Sequence, residues 1–311
     1  MRIALIGQAA FGHAVFAALR DAGEQIVAVS SIIGTPEKPD PLWAAAEDAG
    51  IPSFPTGSLK KPDGLDAYAA TKPDLGVMAF VTHILPERVL DLPPLGTIQY
   101  HPSLLPRHRG ISAMHWAIRQ GETRTGLTVF WVDKGIDTGP VLLQKETHIG
   151  PDDTVGSLYF DRLFQMGVDA LVEAVRLVRE GRAPRVAQDE SLATYDPPAS
   201  DDNSAIQWSR PAPEVYNLIR GSNPTPGAHA MLDGRRVRIF DARLSQDATT
   251  EPPGTVLSIA DDAIAIALLG GVLRAQRLQL DGGKKLPAGE FAAVAEMRGG
   301  TRFADGIVSA K

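Results

Sequence analysis

Apolar residues in the first half of the chain fall in short runs separated by stretches of helical spacing. Arg2 to Ile6 (RIALI) is closed by Gly7 and predicts a buried strand, followed by a helical pattern from Ala14 to Ala22. Gln25 to Ile33 (QIVAVSSII) is a second β-rich run. Leu42 to Gly50 reads as helix, Asp74 to Val81 as strand, Pro86 to Leu90 as a short helix and Gly96 to Tyr100 as strand. Leu127 to Asp133 and Val141 to Thr147 are two further strands, separated by the turn-rich KGIDTGP. Thr154 to Glu180 carries the longest helical pattern, ended by Gly181 and followed by Pro184. This alternation predicts an α/β fold, a Rossmann-like and mostly parallel sheet with helices on both faces.

The texture changes after Gln188 to Asn203 (QDESLATYDPPASDDN), which is polar, contains prolines and has no period, and so reads as a linker. A short helix from Pro213 to Arg220 follows. Val237 to Phe240, Gly254 to Ile259, Ala263 to Leu269 and Val272 to Leu280 are then short β runs punctuated by glycine and Asp-Gly. They predict a small C-terminal β-barrel of OB-like type. The expected organisation is a catalytic domain over 1–187, a linker over 188–203 and a barrel domain over 204–311.

Composition narrows the chemistry. There is no cysteine, which removes disulfides, thiolate catalysis and zinc–sulfur sites and suits a reducing cytoplasm, the expected location. Ile3 to Ile6 is too short for the apolar core of a signal peptide, and no run approaches the roughly 18 apolar residues of a membrane span, so no membrane partner is expected. The net charge of −6 is uneven: from Ser204 onward 13 Lys+Arg face 11 Asp+Glu (+2), leaving 18 against 26 (−8) before it. That weak positive bias falls short of a nucleic-acid footprint.

Gly7 and Gly12 follow the first strand and open a helix, the setting of a dinucleotide fingerprint. Gly7-Gln8-Ala9-Ala10-Phe11-Gly12 lacks the middle glycine, and the second strand ends in SSII without an acidic residue for a ribose. A tight turn that lets the helix pack is the better reading, and no NAD(P) is expected.

The densest signal is Tyr100-His101-Pro102-Ser103-Leu104-Leu105-Pro106-Arg107-His108-Arg109-Gly110, a proline-stiffened loop at a strand end, where open α/β sheets carry ligands. His101 sits at the strand–loop junction and titrates in a range that suits it to both donate and accept a proton. His101, His108 and His115 recur every seven residues, but Pro102 and Pro106 break any helix between the first two and no carboxylate cluster joins them, so no metal is expected. Asp133-Lys134-Gly135-Ile136-Asp137-Thr138-Gly139-Pro140 is a second turn, and Asp137 alone would pass as an ordinary Asx-type turn residue.

Taken together these residues resemble the folate-dependent formyltransferase family. HPSLLPRHRG is similar to its His-x-Ser-Leu-Leu-Pro loop and GIDTG to its Gly-Leu-Asp-Thr-Gly loop. His83-Ile84-Leu85-Pro86, Ala117-Ile118 before Gly121, and Pro151-Asp152-Asp153-Thr154 agree. In the tail, Ile206, Trp208, Tyr216 to Gly221 and Pro226-Gly227-Ala228 look like the opening of the family's C-terminal domain. Gly7-Gln8 with Phe11-Gly12, Tyr100 before His101, and Ser112-Ala113 with Trp116 resemble most the branch containing the hydrolase domain of 10-formyltetrahydrofolate dehydrogenase.

The resemblance implies a formyl donor, 10-formyltetrahydrofolate, converted to tetrahydrofolate, with water as acceptor and formate as product. It implies that His101 is the general acid–base and that Asp137 holds the imidazole and the attacking water. His83, Ile84 and Leu85, with Ser103, Leu104, Leu105 and Pro106, would frame the folate, and backbone near Asp137 would read the pterin. Most of the family's transferases carry an asparagine two residues before the histidine, where its amide faces the oxyanion; here Gln99 stands there. Two further acceptors stay open, Met-tRNA, as in methionyl-tRNA formyltransferase, and an amino-sugar nucleotide. A basic insertion expected for tRNA is missing: Gly34 to Asp40 is nearly neutral. A folate-binding protein with lost catalysis is the reading outside enzymology. The sequence sets no oligomeric state.

Overall fold

The computed structural model describes residues 1–306; positions 307–311 of the expected barrel domain lie outside them. Seven strands form one sheet: β1 (Arg2–Gly7), β2 (Gln25–Ser31), β5 (Ser53–Pro55), β6 (Leu75–Ala79), β7 (Thr97–His101), β8 (Arg124–Trp131) and β9 (Val141–His148), in the order β5-β2-β1-β6-β7-β8-β9. A two-stranded ribbon, β3 (Gly34–Thr35) and β4 (Lys38–Pro39), leaves the end of β2. β5 to β7 in that order pair in parallel, and β8 runs antiparallel to β7. The order reverses between β1 and β6, and loops at the carboxyl ends beside such a switch point are where open α/β sheets bind ligands.

The inner strands β1, β2, β6, β7 and β8 are buried on both faces. Ile3, Leu5, Val77, Ile98, Tyr100 and Val129 pack with α1 (Ala9–Asp21) and α7 (Phe164–Arg179). Ala4, Ile6, Ala28 and Met78 meet Tyr68 of α3 (Pro62–Ala70) and Val89 of α4 (Glu87–Leu90) on the other face. That double burial is why RIALI reads as a continuous apolar run and not an alternation. Gly7 and Gly12 serve packing: a Cβ on Gly12 would stand 3.0 Å from Leu42 of α2 (Pro41–Asp48). The Asp40 carboxylate takes the Ala9 N–H (2.6 Å) and the Ser31 hydroxyl (2.9 Å) and caps α2 through Leu42 and Trp43.

One expected element differs. The stretch 154–180 is not one helix but α6 (Val155–Leu158), a wider π turn over Tyr159–Leu163, and then α7. Leu158 and Leu163 are both fully buried, and a five-residue spacing would put them on different faces of a regular α-helix.

The chain divides into two compact units. Met1–Ile111, Gly126–Thr147 and Phe160–Asp196 make the first; Ser112–Thr125, with α5 (Ala113–Arg119), His148–Tyr159 and Pro197 onward make the second. The polar stretch 188–203 is thus shared, its residues through Asp196 belonging with the parallel sheet. The second unit is an antiparallel sheet of β10 (Ala228–Leu232), β11 (Arg235–Ser245), β12 (Val256–Ile259), β13 (Ile264–Leu268) and β14 (Gly271–Leu280), with β15 (Leu286–Pro287) paired to β14. Its order is β10-β11-β14-β13-β12, and residues 302–304 bridge both ends, Ala304 to Met231 and Arg302 to Thr255. Ile239, Leu273 and Leu278 pack against Tyr216 and Ile219 of α8 (Ala212–Arg220) and Phe291 of α9 (Ala288–Val294).

Candidate active site

The first unit brings two sequence-distant loops onto one histidine. In β7, Ile98 and Tyr100 point into the core under α1 and α7, so strand alternation sends Thr97, Gln99 and His101 to the other face. Tyr100 fixes that setting, its ring 4.7 Å from Phe11. His101 ends the strand, opposite Thr128 of β8, and is buried. Its Nε2 lies 2.8 Å from the His108 carbonyl oxygen, and since a carbonyl only accepts, Nε2 carries the proton of that bond. Nδ1 is left facing Asp137, 3.5 Å from Oδ2.

The loop after His101 is braced by its own polar groups. The Ser103 hydroxyl is fully buried and donates to the Arg107 carbonyl (2.7 Å). Thr128 Oγ1 donates to the Ser103 carbonyl (2.7 Å) and accepts the Leu105 N–H (3.0 Å), while the Gln144 amide donates to the Leu105 carbonyl (2.8 Å). Ser103 and Leu105 are therefore turned inward, with Leu104 and Pro106 half-buried. In the other loop expected against folate, His83 is exposed, Ile84 is 78% exposed and Leu85 is buried with Val89. Gln99 is half-buried, and its amide has no partner among the described residues.

Asp137 does not make the local turn in its loop; Asp133 does, accepting the Gly135 N–H (3.0 Å) and the Thr138 hydroxyl (2.6 Å). This frees Asp137 to point at His101 while its Oδ2 accepts the Gly110 N–H (2.8 Å) from the other loop. Asp137 stands at φ +56°, a conformation aspartate tolerates better than most residues. A side chain at Gly139 would drive into the Trp131 carbonyl oxygen, so the tight crossing requires glycine there.

Sequence reasoning missed the third component, the residues from Gln188 to Asp196. The Gln188 amide donates to the carbonyls of Asp137 (2.9 Å) and Gly139 (2.7 Å). Thr194 takes the His108 N–H on its hydroxyl (2.7 Å) and the Arg109 N–H on its carbonyl (3.0 Å). Asp196 pairs with His108 Nδ1 at 2.7 Å. Arg109, 1% exposed, binds Glu190 and the Tyr195 hydroxyl. The available signal was the density of carboxylates and hydroxyls in 188–196, a chemical complement to Arg107-His108-Arg109. His115 lies in the second unit with its Nε2 on the Thr225 carbonyl (3.2 Å).

The sequence matches the family "Formyl transferase" over residues 1–175 and "Formyl transferase, C-terminal domain" over 199–296. It is 39% identical over 310 residues to the cytosolic 10-formyltetrahydrofolate dehydrogenase of Xenopus laevis, covering 95% of this chain and 34% of that one. The chain thus spans about a third of the length of such relatives. It is 36% identical over 299 residues to the methionyl-tRNA formyltransferase of Geotalea daltonii, covering 94% and 95% of the two chains. Among solved structures, HypX from Aquifex aeolicus in complex with tetrahydrofolic acid shares the fold, with a TM-score of 0.71 at 21% identity over 95% of this chain and 47% of that one. An N-formyltransferase from Helicobacter canadensis does so with a TM-score of 0.69 at 16% identity over 88% and 98%. With its N-terminal match covering more than half its length, the chain belongs to the formyl transferase family.

Proposed function

We propose that this chain removes the formyl group of 10-formyltetrahydrofolate and passes it to water, giving tetrahydrofolate and formate. The observation that carries the reading is the buried His101–Asp137 pair, in which Nε2 is engaged by the His108 carbonyl and Nδ1 faces the carboxylate. Nδ1 is therefore the working nitrogen. Asp137 Oδ1 accepts nothing from the described residues and is the natural acceptor for a nucleophilic water. The water oxygen bonds the formyl carbon as the C–N10 bond breaks. Asp137 takes the water proton, and a proton held at Nδ1 goes to N10. Gln99, on the same face of β7, offers its amide to the oxyanion. The separation of 3.5 Å is one that closes when substrate fills a site of this kind. The loops 83–85 and 103–106 frame the folate, with the exposed Ile84 offering apolar surface to its rings. No step in this reading calls on a nicotinamide or a metal.

Transfer to Met-tRNA is the second reading, favoured by the full-length match to the Geotalea daltonii enzyme. Against it, the stretch 34–40 that carries the β3–β4 ribbon holds a single cation, Lys38, too few for a phosphate-binding surface. Incubation with 10-formyltetrahydrofolate, with and without Met-tRNA, decides between them. Tetrahydrofolate release without acceptor supports hydrolysis, acceptor-dependent release supports the transferase, and tight folate binding without turnover in either arm overturns both. His101→Ala and Asp137→Asn should each abolish turnover with the fold intact, and full activity in either sinks the mechanism.

A further inference from the structure

The Arg109 guanidinium is fully buried, and each of its hydrogen-bond partners among the described residues accepts. Glu190 takes Nη1 (2.9 Å) and Nη2 (2.6 Å), and the Tyr195 hydroxyl takes Nη1 again (2.7 Å). Gln188 Oε1 takes Nη2 (2.8 Å) and Nε (3.3 Å). A guanidinium has donors only, so it dictates which way the Gln188 amide faces: oxygen towards Arg109, nitrogen away. The nitrogen then meets two groups that can only accept, the carbonyls of Asp137 and Gly139. A flipped amide would set oxygen against two oxygens and nitrogen against a cation, so the orientation follows from the network.

We infer that Gln188, oriented by Arg109, is a positioning residue for the reaction: it holds the left-handed turn that aims Asp137 at His101. The inference rests on the reading of Asp137 as the group that handles the water proton. Without Gln188, the Asp137 and Gly139 carbonyls lose the donor they share, leaving the Gly110 N–H on the carboxylate and the flanking Asp133 turn to hold the segment. Displacements near 1 Å in such a constellation cost on the order of a hundredfold in rate.

The test uses the full chain with Gln188→Leu, which removes both donors, and Gln188→Glu, which keeps an oxygen for Arg109 while turning a second oxygen onto the two carbonyls. In both, kcat for tetrahydrofolate release should fall about a hundredfold, with a smaller change in KM for 10-formyltetrahydrofolate, since the loops 83–85 and 103–106 are untouched and only backbone near Asp137 shifts. Circular dichroism and the urea midpoint establish the folded state, and Gln188→Glu, which retains its contact with Arg109, serves if the leucine variant does not fold. Adding either Gln188 variant to Asp137→Asn should cost little beyond Asp137→Asn alone, because Gln188 acts through Asp137. Unchanged kcat, a loss confined to KM, or losses that multiply with Asp137→Asn overturn the inference. If Asp137→Asn alone is fully active, the underlying reading fails instead, whatever Gln188 does.

Discussion

Gly167→Ala sets two effects of opposite sign against each other at a position behind the candidate site. Gly167 lies inside α7, where replacing glycine by alanine ordinarily stabilises by about 0.5–1 kcal/mol. Here the new Cβ would stand 2.7 Å from Tyr100 Cε2 and 3.0 Å from Phe11 Cε2 and Cζ. Neither ring has room to swing. Tyr100 and Phe11 lie against each other at 4.7 Å, and Phe11 meets Phe164 edge-on at 5.5 Å. Relief of about 0.7 Å must therefore come from the backbone of β7 or α7, and overpacking of this kind costs about 1–3 kcal/mol. Set against the helix gain, the net is a loss of up to about 2.5 kcal/mol, and β7, which carries Gln99 and His101, is one of the two elements that can move. Urea denaturation followed by far-UV circular dichroism should show a lower midpoint with an unchanged slope. In a Tyr100→Leu background, where the ring is gone, the same substitution should be neutral or stabilising. A higher midpoint for Gly167→Ala in the parent chain would refute the argument, because helix propensity would then outweigh a clash the structure makes unavoidable.

Gln99→Asn draws the amide back by one methylene, which should lower tetrahydrofolate release to water and raise transfer to an amine acceptor relative to it; an unchanged partition between the two removes Gln99 from the site. The second unit should lose stability on mild acidification. Burial, then Arg236, pushes the His229 imidazole below its ordinary value, and burial, then Arg119, does the same at His115. The unfolded chain therefore takes up protons that the folded one refuses. Stability is fully present above pH about 6.5 and is lost as pH falls from there towards the lowered folded values. Tm measured at about pH 7.5 and about pH 5.5 should fall, and His229→Gln should flatten the change; a parent chain with equal Tm at both contradicts the assignment.

Period and punctuation revealed those elements whose own residues decide their state. β1 and β6 are short apolar runs because both faces are covered, and α8 shows its stripe through Val215, Tyr216 and Ile219. Elements with little to bury were illegible: α3 fully hides only Tyr68, and β5 is a three-residue edge. β11 runs eleven residues where the pattern suggested four, because Arg236, Arg238 and Arg243 dilute its alternation. In the candidate site, His101 and Asp137 were legible as a pair only through the resemblance of their two loops to the formyltransferase family, since Asp137 by itself passes for an ordinary turn residue. Gln188 was not, since its amide acts 51 and 49 residues away, a separation that no local period records.

The same comparison shows where the site's geometry resides. Two acceptors bracket the His101 ring, the His108 carbonyl at Nε2 and the Asp137 carboxylate at Nδ1. Both belong to non-glycine residues in left-handed backbone, His108 at φ +55° and Asp137 at φ +56°. Such conformations cost on the order of 1 kcal/mol or more each and persist only when surroundings over-determine them. The surroundings here are one segment: Thr194 and Asp196 hold His108, and Gln188 holds Asp137. Swapping either left-handed residue for glycine would ease the backbone but remove His108's pairing or Asp137's carboxylate. The two loops supply the paired groups, and the stretch 188–196, part of the 188–203 segment that reads as a linker, bonds to both of them.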